Sequence, residues 1–339
     1  MLIYLLRRLL LAILVIVSVS VVTFFVARVI PSDPAALYAG QRPTSDQIAA
    51  ARERLELDQP LYNQYFRFVR DILKGDLGTS YKTKHAILAD IKTFLPATLE
   101  LVIASTLMAI IIGIPVGVLA GAKHGGWLDQ TTRILSIAGV SFPTFWLALV
   151  LQLFFFGTLH RLFPLSSRIS NNVALFNSFP AVTGFYLIDT LLAGNFIAWR
   201  DAVWHIILPT LTLATYPISL TLRMTRAAMV ETLSEKYITA ARAQGLPERD
   251  ILFRYALKNA IVPTLTVLGL SFAYSLTGAF LVEVIFSWPG LGKYVTDAIF
   301  NVDFPVIVAV TLIVTLFFVS INLFVDIIQA FLDPRVVLR

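Results

Sequence analysis

Six long apolar runs dominate this sequence and limit what the chain can fold into. They cover residues 9–30, 99–121, 134–158, 202–222, 263–285 and 304–332. Each is roughly 20 residues or longer, the length at which an α-helix crosses a hydrocarbon core of about 30 Å. A backbone inside a bilayer must satisfy its own hydrogen bonds, so these runs predict helices. The predicted fold is an all-α polytopic membrane protein with about six spans.

Composition agrees with this prediction. Of the 339 residues, 57% are apolar and only 14% are charged, whereas about 25% of the residues in a soluble domain are charged. Spans of about 20 residues and their loops account for the whole length, so no soluble catalytic domain is needed. The chain has no cysteine, which excludes disulfides, thiolate metal sites and cysteine nucleophiles.

The first apolar run is too long for a signal-peptide core and lacks an Ala-x-Ala cleavage site, so we expect it to be retained as a span. The chain then divides into an N-terminal span (1–30), an extracytoplasmic helical segment (31–98) and a core membrane domain (99–339). Within the core domain we expect an extracytoplasmic loop at 159–201 and a cytoplasmic loop at 223–262.

Basic residues predict the orientation of the spans. Lys and Arg are about twice as dense in the loops assigned to the cytoplasm as in the outer segments, as the positive-inside rule requires. An even number of spans leaves both termini in the cytoplasm. The net charge of +6 is explained by this asymmetry, so we expect a lipid membrane and no nucleic acid as partner.

The outer segment shows two helix signals. Thr44 and Gln47 have the spacing of a capping box, and a second helix is predicted to begin after Pro60. An apolar stripe on this second helix has two interpretations: it packs onto the membrane domain, or it binds a partner. The stripe contains Leu61, Tyr65, Phe68 and Ile72.

Catalytic signatures are absent from the sequence. The four histidines are isolated, and no His-Glu-x-x-His occurs. The stretch from Pro289 to Tyr294 differs from a phosphate-binding loop because Tyr294 replaces the magnesium-binding Ser or Thr. We therefore expect a non-catalytic chain that carries no cofactor.

Asp326 is the only acidic residue well inside an apolar run, and Glu283 lies near the outer end of the fifth. An ionisable group in a span is costly, which makes each a candidate functional residue. For Asp326 a structural role near the inner interface is favoured, and Glu283 is either an outer gate or a structural hydrogen-bonding group.

The loop at 223–262 contains a predicted short helix that ends at Gly245. Its small residues, Ala240, Ala241 and Ala243, would let a partner surface approach closely, and Tyr237, Ile238 and Leu246 would provide apolar anchors. The alternative is a helical hairpin that lies on the membrane. Periodicity alone leaves both interpretations open.

The stretch from Tyr237 to Leu246, followed by Ala256 to Pro263, resembles the "EAA" loop of bacterial ABC importer permeases. Thr239 stands where the general pattern has glutamate. Further stretches in the same order resemble the B-type permease subunit of the dipeptide/oligopeptide/nickel importers, and the loop from Thr183 to Thr190 most resembles the dipeptide permease. These stretches are Arg7-Arg8-Leu9-Leu10, Ile30-Pro31-Ser32-Asp33-Pro34, Gly75-Asp76-Leu77-Gly78-Thr79-Ser80, Pro96-Ala97-Thr98-Leu99-Glu100-Leu101, Gly113-Ile114-Pro115-Val116-Gly117-Val118, Ile285-Phe286-Ser287-Trp288-Pro289-Gly290-Leu291-Gly292 and Asp333-Pro334-Arg335.

This resemblance implies a type I ABC importer permease fold in a bacterial inner membrane. It implies three kinds of partner: a homologous second permease subunit, two cytoplasmic ATPase subunits that bind ATP and magnesium, and a periplasmic or lipid-anchored peptide-binding protein. The loop would carry the motion of the ATPases to the spans. The coupling residues that the resemblance assigns are Tyr237, Thr239, Ala240, Ala241, Arg242, Gly245 and Leu246.

Other functions remain as alternatives. An ion-coupled secondary carrier would need ionisable residues near mid-membrane and an internal repeat, and neither is visible. An intramembrane enzyme would need paired catalytic groups. Within the importer family, nickel or another small solute is the alternative substrate.

Overall fold

The computed structural model of the protein describes residues 2–29, 33–40, 43–158 and 162–332. The described chain is helical, and Thr79 and Ala86 form an isolated β-bridge. π-helical turns at Ala109–Gly113, Leu153–Thr158 and Ile251–Ala256 interrupt or extend the helices. The α-helices are α1 (Leu2–Val29), α2 (Pro34–Ala39), α3 (Ser45–Arg54), α4 (Leu61–Leu73), α5 (Ile87–Met108), α6 (Ile114–Ala122), α7 (Trp127–Ser141), α8 (Thr144–Gln152), α9 (Asn171–Phe176), α10 (Tyr186–Leu192), α11 (Phe196–Leu233), α12 (Lys236–Ala243), α13 (Glu248–Asp250), α14 (Leu257–Ile285), α15 (Leu291–Phe300) and α16 (Phe304–Leu332).

Five helical stretches in the described residues are long and apolar enough to cross a membrane. They confirm five of the six predicted runs, with longer bounds at most ends. The stretches are Leu6–Arg28, Ile87–Ala122, Phe196–Leu233, Glu248–Ile285 and Phe304–Gln329.

The third predicted run, 134–158, is wrong as a straight span. α7 and α8 meet at an angle of 103°, because Phe142 precedes Pro143 and adopts an extended conformation with ψ 127°. Asp129 of α7 contacts Arg226 at one end of the bundle, whereas Gln152 of α8 donates to the carbonyl of Ile285 at the other end, at 3.3 Å. The bent pair therefore crosses the bundle once, which gives six spans.

α11 and α14 form the centre of the bundle, and α5 to α8 pack around them. α1 lies at the periphery against α16, and only 11% of its apolar span is buried within the chain. The bundle thus has a "hairpin end", which carries residues 223–262, and a "far end", which carries α2 to α4, α9, α10 and α15.

Close backbone packing joins α6 to α11. Gly117 is spaced four residues from Gly113 and from Gly121, so the three glycines lie on one face. A Cβ on Gly117 would lie 2.7 Å from Cβ of Thr225 and 2.9 Å from the carbonyl oxygen of Leu222. Only glycine permits this approach, which is the usual way for helices to associate in lipid.

The outer segment confirms the predicted helix signals. Thr44 and Gln47 form both hydrogen bonds of a capping box at the start of α3. The α4 stripe packs onto the membrane domain: the Tyr65 ring lies 5.4 Å from that of Phe24 on α1, and its hydroxyl is 2.9 Å from Ser20 Oγ. Leu61 remains 49% exposed, so packing involves the middle of the stripe rather than its beginning.

The contact between α6 and α11 can be tested with two Gly→Ala variants. Gly117→Ala should destabilise the detergent-solubilised protein by about 1–3 kcal/mol, because the new methyl group overlaps backbone as well as side chain. Gly278→Ala is the matched control, since its Cβ would meet Leu213 at an ordinary 3.7 Å. Thermal unfolding measures both. Equal unfolding temperatures for the two variants would show that the close packing is unimportant.

Candidate functional site

The hairpin end is built from helices that extend beyond the predicted spans. α11 continues to Leu233, past the predicted span end at residue 222, and α12 follows after a turn of two residues. The chain returns through α13 and the π-helical turn Ile251–Ala256 into α14. The short helix expected in this loop is therefore present as α12, which lies at the tip of a helical hairpin.

One side of α12 is buried within the chain. Ile238 is fully buried and Ala241 is 6% exposed. They pack in an apolar cluster with Met229, Ile251, Leu252, Ala256 and Ala260. The prediction that Ile238 offers an anchor to a partner is wrong, because its side chain instead holds α12 against α11 and α14. Leu246 is partly buried against the same cluster.

Gly245 ends α12 in a left-handed conformation with φ +77°. The amide of Leu246 donates to the carbonyl of Ala241 at 3.3 Å, and that of Gly245 donates to the carbonyl of Arg242 at 3.0 Å. This pair of bonds is a Schellman motif, which satisfies carbonyls that a helix end leaves without partners. The predicted positive φ at Gly245 is confirmed.

The opposite side of α12 is exposed. It presents Thr239 and Ala240, with Tyr237 40% exposed beside them. The Tyr237 hydroxyl accepts a hydrogen bond from Asn259 Nδ2 at 2.7 Å. Arg242 donates twice to Glu248, and this hydrogen bonding raises the pKa of Arg242. The exposed side of α12 thus has a small side chain at its centre and polar side chains at its edges.

An ion pair fixes the base of the hairpin and was missed from the sequence. Asp129 on α7 is almost fully buried and accepts two hydrogen bonds from the Arg226 guanidinium on α11. Its Oδ2 also accepts from the Gly125 amide at 2.9 Å. Because the two residues are 97 positions apart in the chain, no local pattern pairs them.

At the far end, Glu283 is fully buried among hydrogen-bond donors. Its carboxylate accepts from Thr98 Oγ1 at 2.6 Å and from the amides of Gly292 and Lys293 at 2.7 and 3.1 Å. A Cβ on Gly290 would overlap the carboxylate. Glu283 therefore joins α5, α14 and the beginning of α15, and these contacts favour the structural interpretation over that of a gate.

A second buried ion pair lies nearby. Arg168 and Glu100 are each 5% exposed, and Arg168 Nη2 donates to Glu100 Oε2 at 2.5 Å and to the Gly184 carbonyl at 2.9 Å. The Leu187 amide donates to the other carboxylate oxygen at 2.8 Å. The pair holds the outer loop 162–201 on α5. Neither residue was a sequence-based candidate, although the motif containing Glu100 was noted.

Asp189 organises the same loop. Its carboxylate accepts from Thr183 Oγ1 at 2.7 Å and from the amides of Thr183 and Gly184 at 2.8 and 2.9 Å. Burial alone would raise the pKa of Asp189, but these hydrogen bonds outweigh it and the pKa is lowered. The loop from Thr183 to Thr190 is consequently an ordered structure.

Asp326 lies near the hairpin end of α16. Its Oδ2 is 3.1 Å from Arg8 Nη1 of α1, so the pair links the peripheral helix to the bundle. Within the described residues, no group of three or more His, Cys, Asp or Glu side chains is arranged to hold a metal ion.

Comparison with known proteins identifies the protein family to which this chain belongs. Residues 113–338 match the family described as "Binding-protein-dependent transport system inner membrane component", and residues 1–102 match the model of its N-terminal segment. The chain belongs to this permease family. Both the all-α polytopic membrane fold and the resemblance noted from the motifs are thereby confirmed.

The permease is similar over nearly its full length to several named relatives. It is 43% identical over 96% of its length to the "Probable D,D-dipeptide transport system permease protein" of Escherichia coli K12, covering 94% of that protein. It is 41% identical to the di/tripeptide transport system permease of Pseudomonas aeruginosa and 40% identical to the dipeptide transport system permease of Escherichia coli K12, with 99% of both chains covered in each case.

These comparisons make the permease a multi-pass membrane subunit of an ABC transporter that works with other subunits. They do not favour the ion-coupled secondary carrier. The roles assigned to Tyr237, Thr239, Ala240, Ala241, Arg242, Gly245 and Leu246 remain predictions. The first five of these residues lie on α12, and Gly245 and Leu246 follow its end.

The turn at Gly245 can be tested by two substitutions at one position. Gly245→Val should destabilise the end of α12 by about 1–2 kcal/mol, because a β-branched residue resists positive φ. Gly245→Asn is the control and should cost less, since Asn tolerates this conformation. Hydrogen exchange of the Leu246 amide reports the loss of its bond to Ala241. Equal protection in all three proteins would contradict the argument.

The Arg168–Glu100 pair can be tested by a double-mutant cycle. Glu100→Gln or Arg168→Met alone should destabilise the protein by about 3–5 kcal/mol, because each leaves a buried charge without its partner. The double variant should cost less than the sum of the two. Proteolysis of the loop at 183–190 provides a local readout. The exposed Arg242–Glu248 pair is the matched control and should show little coupling; additive effects at Arg168 and Glu100 would count against the pair.

Proposed function

We propose that this permease forms part of the translocation pathway of an ATP-driven importer of dipeptides or oligopeptides. The relatives that match it over nearly the whole chain are named as dipeptide, di/tripeptide and D,D-dipeptide permeases. This favours peptides over nickel or another small solute within the family.

The exposed side of α12 carries the mechanistic part of this proposal. The side chain at its centre, that of Ala240, is small. The buried side of the helix is held in place by Ile238, and the helix ends at Gly245. A partner that contacts Ala240 therefore pushes on a helix that cannot rotate or unwind freely. We assign this surface to a cytoplasmic ATPase subunit, with ATP and magnesium bound on the ATPases and no catalysis by this chain.

The remaining subunits follow from the same proposal. A homologous second permease would complete the pathway, a second ATPase would bind that subunit, and a periplasmic or lipid-anchored binding protein would deliver peptide at the far end. The hairpin would face the cytoplasm of a bacterial inner membrane, with both termini on that side. The basic residues of the hairpin, among them Arg223, Arg226 and Arg242, support this orientation.

Motion of the ATPases would bias two arrangements of the spans, each with different partner contacts. The motion would be transmitted along a single helix, because α14 connects the hairpin directly to Glu283 at the far end. The ion pair of Asp129 with Arg226 keeps α7 attached to α11 during such a motion.

The proposal is tested by substituting the centre of the exposed side. Ala240→Trp should abolish copurification of the ATPase and reduce peptide-stimulated ATP hydrolysis in the reconstituted transporter by at least about tenfold, as loss of a central interface contact does. Ala50→Trp, an exposed alanine on α3 at the far end, is the control and should leave ATP hydrolysis unchanged. Normal coupling in the Ala240 variant, or peptide transport by the wild type without an ATPase, would refute the proposal.

A further inference from the structure

A cavity of about 350 Å³ lies at the far end, outside the central bundle. Its floor is formed by α1 and α16, including Phe24, Val308 and Leu312. Its roof is formed by the end of α3, by α4 and by the loop that follows α4. Its volume is typical of a site for a small ligand.

One charged group that lines the cavity has no ion-pair partner among the described residues. Within the described ranges, no carboxylate lies at ion-pair distance from the Arg28 guanidinium, which contacts the ring of Phe24 at 6.0 Å. Gln64 also lines the cavity, but its Nε2 already donates to the carbonyls of Leu57 and Gln59, and its Oε1 is buried within the protein, out of reach of a ligand. A guanidinium beside a cavity favours an anionic ligand group.

The cavity contains charges of both signs. Arg28 and Arg54 line it together with Glu56, Asp71 and Asp76. Arg67 already binds Glu56, and the Asp76 carboxylate accepts from the Gly78 amide at 2.8 Å. A ligand with one anionic group near Arg28 and one N–H-bearing cation near the carboxylates would complement both signs of charge.

The position of the cavity favours a lipid. The α1 span ends at Arg28 and the α16 span begins at Phe304, so the cavity lies at the level of the lipid headgroups. Its apolar floor is provided by two spans, and α1 is mostly unburied along its length. We propose that the cavity binds a phospholipid whose headgroup carries both a phosphate and a primary ammonium group, as in phosphatidylethanolamine.

The chemistry of the headgroup decides among common lipids. The phosphate would accept charge-assisted hydrogen bonds from Arg28, and the ammonium group would donate to the carboxylates that line the cavity. A choline headgroup has no N–H to donate, and a glycerol headgroup has no cation to place beside the carboxylates.

Native mass spectrometry of the full chain in detergent tests this proposal by titration with phosphatidylethanolamine, phosphatidylcholine and phosphatidylglycerol. The wild type should bind the ethanolamine lipid roughly tenfold more tightly than the choline lipid. Arg28→Ala should weaken the binding of all three lipids, because each carries a phosphate. Arg70→Ala, an arginine on α4 outside the cavity, should leave their binding unchanged.

A second pair of variants keeps every charge in place. Ala27→Phe would fill the cavity and should reduce lipid binding, whereas Val22→Phe, on the 60% exposed side of the same helix, should not. Equal binding of all three lipids, or unchanged binding in both Arg28→Ala and Ala27→Phe, would overturn the proposal. Displacement of the lipid by a free dipeptide, a soluble zwitterion, would also overturn it.

Discussion

The close approach of α6 to α11 is the contact on which the rest of the structure depends. Within lipid, helices gain little from apolar contact alone, so association rests on tight packing and buried hydrogen bonds. The glycine face of α6 brings Thr225 of α11 into direct contact, and the Thr225 hydroxyl lies 3.2 Å from that of Thr264 on α14. Thr225 thus contacts both α6 and α14, and it fixes the positions of α11 and α14 relative to α6.

α11 and α14 also link the two ends of the bundle. The hairpin cluster around Ile238 packs against both helices, and α14 continues from there to Glu283. Between α13 and α14, the π-helical turn Ile251–Ala256 departs from regular α-helical geometry. π-helical turns are often found at functional sites. A displacement of α12 would therefore reach the far end through α14, which runs from Leu257 to Ile285. The π-helical turn lies between α14 and the tip of the hairpin.

The sequence predicts what is local and periodic. Five spans, the capping box of Thr44 and the positive φ of Gly245 all follow from patterns within a few residues. The sharp angle between α7 and α8 at Pro143 did not follow from the sequence, because the apolar run continues across this proline. The inward turn of Ile238 was missed for another reason: an eight-residue helix has two faces, and which one is buried depends on α11 and α14.

The buried acidic residues show why the other features could be found only from the folded structure. Asp129 and Glu100 each accept two hydrogen bonds from elements distant in the chain, and Glu283 accepts one from Thr98, so no spacing rule pairs them with these donors. These contacts lie near the ends of the bundle. Between them, α6, α11 and α14 meet through glycine and threonine, whose contacts carry no net charge. The ends of the bundle are therefore held by hydrogen bonds to charged groups, whereas the middle is held by close backbone packing.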